Sequence, residues 1–548
     1  MSPSSPPALP LELWRCIESY LSNADIKSLR LSCKHFHNAV PLRLNRVFLC
    51  ANPLYIEIFR NIASHDKFRH QVNEIIWNEA LLHRVPAQIA ETNERHELLS
   101  EENEPTYETE YREETPGPYE LEWGCPRWFS YVKYKIGDAQ RDLFSRDMDK
   151  PAYAKRISLD FVRHPLKERW QHYLLLLRQQ EDVLANRSDL DAFAFGVKRF
   201  PALRRVNITP AAHGNLIIPL SPTPMIHALP KGFSYRIPRD RLDWPRLPRP
   251  TTDPATAYTY KPYPELRDQH RAFRTAMRVL ANEPNSVSEL VLPSNSNPTG
   301  INCTIFDEPS EVSNDFVTLL KKPGFRRLDI ALFVDDGRDE DVETCRRSLL
   351  NGRLRRTLGE AQEMEEFSLR KAPNSKLSRT NPLILLKSVV PVEQWSKLRH
   401  FAISGFVISQ DDCVSFLQTL PKSVRSIELS MLRFSGKGNW YSMLEEIRRK
   451  VLEGTLWGDR DAAARPKITI GESYSPLHAI RTYGRGHWIE KEVEDFSYGE
   501  EQNPFIENSD CIQARLVPMG WFRKALEPDI EHDIEHPYIQ LVAFWEGY

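Results

Sequence analysis

Two stretches pair residue types with a spacing that metal chemistry uses. His532-Asp533-Ile534-Glu535-His536 fits H-x-x-E-H, in which two imidazoles one helical turn apart share zinc and the glutamate acts as general base. The surrounding sequence is a tandem, DIEHDIEH, followed at once by Pro537. A proline there ends the helix that both ligands need. The downstream carboxylate ligand of that motif is not expected in the twelve residues that follow. Cys33-x-His35-x-His37 also has ligand types, but alternate residues of a helix diverge by roughly 200° and do not converge on one ion. Gly484-Arg485-Gly486 is too short to cradle phosphate, and neither G-x-x-x-x-G-K-[ST] nor G-x-S-x-G occurs. The acidic turn 335–339, DDGRD, lacks EF-hand spacing. The expectation is a protein with no catalytic residues, metal or cofactor, and not an enzyme. A metal hydrolase using the HDIEH segment is the remaining chemical alternative.

The elements around these residues set a different emphasis. Lys and Arg number 73 against 75 Asp and Glu, so no global field steers the chain to nucleic acid or an anionic membrane. Eight cysteines are scattered without C-x-x-C, which reads as reduced thiols in an intracellular protein. MSPSSPPALP has neither a basic n-region nor an apolar h-region, and no stretch reaches the roughly twenty apolar residues of a membrane helix. A cytoplasmic and/or nuclear location is expected.

The N-terminal forty residues are dense in apolar groups. Pro10 suits a first helical turn. Leu13, Trp14, Ile17 and Leu21 then share one helical stripe. Ser22 with Asp25 resembles a capping box, so a second helix begins near Ala24. It carries Ile26, Leu29, Cys33 and Phe36 on one side, with Ala24 and Leu31 on another, and Pro41 ends the module. A unit of about forty residues is near the lower limit for independent stability. Its spare apolar face implies a partner, either the rest of the chain or another protein.

The same stretch resembles an F-box. Leu9-Pro10-x-Glu12, Ile17, Tyr20-Leu21, Asp25-Ile26, Leu29-Arg30-Leu31, Cys33-Lys34 and Phe36 follow that family's order and spacing over residues 7–45. The resemblance implies docking onto the Skp-type adaptor of an SCF ubiquitin ligase, and through it onto cullin and RING subunits. It implies adaptor contacts from Leu9, Pro10, Leu13, Ile17, Leu21, Ile26, Leu29, Leu31 and Phe36. Apolar helices laid into a hydrophobic groove are a common recognition mode. The chain after the F-box then holds a reader for an unknown protein substrate. A non-ligase F-box scaffold is the alternative role.

One phrase recurs in that remainder: apolar, two residues, apolar, one residue, apolar. It appears as Val72-NE-Ile75-I-Trp77, Leu203-RR-Val206-N-Ile208, Val287-SE-Leu290-V-Leu292 and Phe325-RR-Leu328-D-Ile330. It returns as Met364-EE-Phe367-S-Leu369, Leu398-RH-Phe401-A-Ile403 and Val424-RS-Ile427-E-Leu429, with a weaker copy at 467–470. Its end alternates like a half-buried strand. Helix-like segments at 274–281, 316–321, 348–358 and 413–420 precede most copies. Helix then short strand at this period predicts an α/β fold: a degenerate leucine-rich-repeat-like solenoid with long loop insertions. An ordinary α/β domain whose parallel strands share the pattern is the alternative.

The expected organisation is an F-box at 7–45, a first repeat-like unit at 46–90, and an acidic flexible insertion at 91–122. A repeat-like region at 123–209, a Pro-rich loop at 210–264 and the main repeat region at 265–475 follow. Residues 476–548 form a C-terminal cap and tail, in which Trp488, Phe496 and Phe505 fold back over the last repeat. That tail is similar to the tails of many F-box proteins from filamentous fungi. Residues flanking the inward pair of each phrase should line an exposed sheet face. Arg205, Asn207, Arg327, Asp329, Glu366, Arg370, His400, Ser426 and Glu428 are the candidate substrate face; a merely solvated face is the alternative for any one of them.

Overall fold

Every copy of the repeated phrase is a strand in the computed structural model. It describes residues 23–40, 42, 44–79, 81–82, 120–121, 125–126, 165–209, 271–292, 300–333, 339–371, 383–454, 456–473 and 486–510, with Leu13, Ile17 and Leu21 as isolated positions. The HDIEH segment, the DDGR turn at 335–338, the Pro-rich segment 210–264 and nearly all of the acidic insertion lie outside the described residues.

The strands are β1 (Arg46–Leu49), β2 (Glu74–Asn78), β3 (Glu120–Leu121), β4 (Cys125–Pro126), β5 (Arg205–Thr209), β6 (Glu289–Leu292), β7 (Ile301–Asn302) and β8 (Arg327–Phe333). They continue with β9 (Glu366–Lys371), β10 (His400–Ser404), β11 (Val407–Ile408), β12 (Ser426–Ser430), β13 (Arg433–Phe434), β14 (Lys467–Ser473) and β15 (Gly486–Ile489). Nine of them, β1, β2, β5, β6, β8, β9, β10, β12 and β14, lie side by side in chain order and all parallel. β15 adds antiparallel to β14, and β7 pairs with the end of β8. β3 pairs with β4, and β11 with β13, in two small sheets. The fold class is therefore α/β, with thirteen α-helices among the described residues.

Parallel neighbours need crossovers, and each of the eight crossovers contains a helix. Local chemistry starts several of these helices. Asn52 accepts from Leu54 N at 3.0 Å with Pro53 in the first turn. Ser310 and Ser313 form a reciprocal cap, as do Asn439 and Ser442. The helices pack on one another in succession, from Pro53–Ser64 through Ser188–Arg199, Arg271–Asn282 and Glu311–Leu320 onward to Trp440–Leu452 and Lys491–Tyr498.

The register stacks each phrase on the next. Val47, Ile75, Val206, Leu290, Leu328, Phe367, Phe401, Ile427 and Ile468 form one buried row across the sheet. Leu49, Trp77, Ile208, Leu292, Ile330, Leu369, Ile403, Leu429 and Ile470 form a second. Each fully buried side chain of this size contributes roughly 1.5–3 kcal/mol. At the far end Phe505 stacks on Trp440 at 5.9 Å and Phe496 is buried, so this segment covers the last helix and strand.

One corner depends on glycine. Gly405 has φ +82°, and a Cβ there would stand 3.1 Å from the Lys371 carbonyl oxygen. Gly436 has φ +72° with nothing within 4 Å of its Cβ position. The left-handed conformation alone costs a non-glycine residue about 1–2 kcal/mol. Gly405→Ala is therefore expected to lose more stability than Gly436→Ala, as read from urea midpoints. Equal losses would mean that the Lys371 contact relaxes without cost.

Candidate recognition surfaces

Among the described residues the N-terminal module contains two short helices, Asn23–Ser32 and Lys34–Ala39, packed on each other, and the isolated positions Leu13 and Ile17 are helical as well. The single helix expected from Ala24 to Phe36 is broken at Cys33, whose backbone is extended at φ −161° and ψ 162°. Cys33 thereby becomes a helix boundary, and His35 and His37 are exposed on the second helix. Arg30 bonds the Val40 carbonyl and ties the two helices' ends. Ile26 is fully buried, whereas Leu29, Phe36 and Leu21 are half-buried. Leu13, Ile17 and Leu31 are exposed by 51, 40 and 86%. Leu9 and Pro10 lie outside the described residues. Three large apolar side chains thus face outward from one small module.

The nine candidate face residues all lie on strands of the parallel sheet, on the side opposite the two apolar rows. The third phrase position forms a cross-strand row: Arg46, Glu74, Arg205, Glu289, Arg327, Glu366, His400, Ser426 and Lys467. Its first six members alternate in sign. Arg46 meets Glu74 at 2.7 Å, Arg205 meets Glu289 at 2.7 Å, and Arg327 meets Glu366 at 3.1 Å. Alternation keeps like charges from standing opposite one another. Burial pushes Glu289 up, but Arg205 and Arg326 outweigh it and leave its carboxyl below the ordinary range.

β8 to β12 hold the densest part. Arg327 meets Asp329 at 2.6 Å. Arg370 donates to Ser368 Oγ at 2.9 Å and to Glu428 at 3.3 Å. His400 lies among Glu428, Asp329, Glu366 and Arg370. Burial lowers its pKa; the three carboxylates oppose that and Arg370 reinforces it. The imidazole is thereby held toward its neutral form.

The face is less open than the sequence pattern suggests. Arg327, Arg370 and Asn207 are only 7, 4 and 2% exposed, while Arg205, Asp329, Glu366, His400, Ser426 and Glu428 are half-buried. Strands about 4.8 Å apart hold paired side chains against their neighbours. Arg205 and Asn207 are also set apart from the β8–β12 group, because Val291 and Glu289 of β6 stand between.

A buried polar node that the phrases do not reveal sits where β2 ends. Glu79 Oε1 accepts from Ala272 N at 3.1 Å, at the start of the helix Arg271–Asn282. Arg271 and Asp189 pair at 3.0 Å nearby, both buried. Burial raises the Glu79 pKa from 4.5 to about 7, against the pull of the Ala272 and Phe273 amides and Arg271. The native state then binds a proton more tightly than the unfolded chain, so Glu79 lowers stability as pH rises from about 4.5 through 7. Glu79→Gln keeps an acceptor for Ala272 without the charge. It is expected to gain up to roughly 3 kcal/mol at alkaline pH and little near pH 5. Thermal melts across pH check this; a variant with the parent's pH slope would show that Glu79 is not its source.

Among the described residues no group of three His, Cys, Asp or Glu side chains is placed to hold a metal ion, and no described helix is long and apolar enough to cross a membrane. No family model matches the chain, and no curated protein matches it.

Proposed function

We propose that this chain is the substrate-receptor subunit of an SCF-type ubiquitin ligase, a binding protein and not the catalyst. The observation that carries the reading is the N-terminal module: residues in F-box order, with Leu13, Ile17 and Leu31 exposed on it. Apolar side chains of this size on so small a unit fit a groove on another protein. In this reading they hold the Skp-type adaptor, with Leu9 and Pro10 opening the contact.

The sheet is the second half of the reading. Nine parallel strands in chain order, each reached through a helix, support a degenerate leucine-rich-repeat-like solenoid. Its polar face, centred on Asp329, Glu366, His400 and Glu428, is the candidate substrate surface. The ligase would act by holding a substrate beside a charged E2, so the rate gain is one of effective concentration and orientation.

Co-expression of the full chain with a Skp-type adaptor and a cullin separates the two roles. Recovery of all three supports the ligase. Recovery of adaptor without cullin favours the scaffold.

A further inference from the structure

Cys303 and Cys345 stand 42 residues apart in the chain, yet they meet in the core beside β8. Cys303 opens the single 3-10 turn Cys303–Phe306, directly after β7, and Cys345 lies in the helix Asp339–Leu350 that follows β8. The Cys303 thiol is 3.9 Å from the Cys345 carbonyl oxygen, and both residues are buried. A few residues further on, the same two segments are bound again. Asp307 accepts from Ser348 Oγ and, at 2.7 Å, from Asn351 Nδ2. Contacts of 303 with 345, and of 307 with 348 and 351, fix the register of the turn on the helix. The two cysteines are thereby held side by side. The neighbouring Cys345 side chain, with burial second, pushes the Cys303 thiol well above its ordinary pKa. All five described cysteines are free thiols. Cys50 and Cys413 are buried too, but the charged neighbour of each is a carboxylate, Asp189 and Asp412 respectively.

We propose that Cys303 and Cys345 are an oxidisable pair that closes to a disulfide when the chain meets a low-molecular-weight disulfide such as oxidised glutathione. Bonded sulfurs lie about 2.05 Å apart. The thiol contact and the Asp307 clamp leave a small closing movement, and the segment that makes it is a two-residue strand and one turn of helix. Segments with so few backbone bonds open locally at low cost, which also admits the oxidant. Cys345 is the outer of the two, 6% exposed against 1% for Cys303. Its thiolate attacks one glutathione sulfur, releasing a glutathione thiolate and leaving a mixed disulfide. The Cys303 thiolate then attacks the Cys345 sulfur and releases the second glutathione thiolate. The two released thiolates take up the two protons that the cysteines gave up. The cysteine pair loses two electrons, and the glutathione disulfide is reduced to two thiols. Closure straps β7 to the helix after β8. β7 pairs with β8 at Leu332 and Phe333, so the strand that carries Arg327 and Asp329 is held from both sides. A link between residues 42 apart restricts the unfolded chain and so stabilises the folded one. These contacts are independent of the F-box reading.

The test takes the full native chain through glutathione buffers from fully reduced to fully oxidised. Remaining thiols are then blocked with iodoacetamide in denaturant, and a non-reduced digest is read by mass spectrometry. A peptide pair joining Cys303 to Cys345 is expected, lighter than its two thiol forms by the hydrogens lost, and dithiothreitol should reverse it. Cys50 and Cys413 should stay unlinked. The urea midpoint of the oxidised chain should lie above that of the reduced chain, a shift lost in Cys303→Ala and in Cys345→Ala. The comparison of oxidised with reduced parent needs no variant, so it stands even if either alanine fails to fold. Free thiols at both positions in the fully oxidised buffer overturn the proposal. So does a stable glutathione adduct on either cysteine, a link from either to any other cysteine, or a link that forms only in urea.

Discussion

Changing Leu13 and Leu31 together to aspartate is expected to abolish recovery of a Skp-type adaptor with the full chain, while leaving its melting temperature unchanged. Both side chains are at least half exposed, and Leu31 is exposed by 86%. Neither fills the main core, so a charge there costs the fold little. In a complex the same side chains leave water, and each buried leucine contributes roughly 1.5–3 kcal/mol. Replacing two of them with carboxylates adds the cost of burying charge. A loss of about a hundredfold or more in affinity follows. Ile26→Asp is the contrasting change: Ile26 is fully buried, so this variant should unfold the module instead of only blocking its surface. Retained adaptor binding in the double aspartate variant would mean that the exposed leucines serve something else.

The second large effect is expected at Arg370. Its guanidinium is buried between Ser368 and Glu428. Arg370→Ala leaves Glu428 without that partner, in a neighbourhood that already holds Asp329 and Glu366 around His400. Breaking a buried pair from one side costs about 3 kcal/mol. Arg370 is also one of the groups that hold the His400 imidazole down. Its removal raises that pKa, so His400 takes up a proton at higher pH in the variant. The stability deficit should then be smaller at roughly pH 5.5 than at pH 8. Chemical denaturation at both pH values, with His400 followed by NMR, checks the sign. A deficit independent of pH would separate Arg370 from His400.

Much of the sheet was legible in the chain because its phrase carries both periods at once. An apolar pair two apart with polar flanks is a strand with one buried face, and all eight copies became strands in register. β1 escaped, although Leu44, Val47 and Leu49 fit the same phrase. It follows the N-terminal helices Asn23–Ser32 and Lys34–Ala39 by only a few residues, at the edge of that apolar module. The sign alternation of Arg46, Glu74, Arg205, Glu289, Arg327 and Glu366 was also present in the sequence. It acquires meaning only when the register is known, since each phrase alone shows one charge. For the same reason the face looked open, and proved to be a row of pairs. The Glu79 and Ala272 contact spans 193 residues and the Arg271 and Asp189 pair spans 82. No local pattern joins residues so far apart.

The most direct measurement is the mass of the species formed when the full chain is co-expressed with a Skp-type adaptor, read by light scattering on a size-exclusion column. A single peak with one adaptor per chain is predicted. A chain that elutes alone, with the adaptor in a separate peak, would contradict the proposed function.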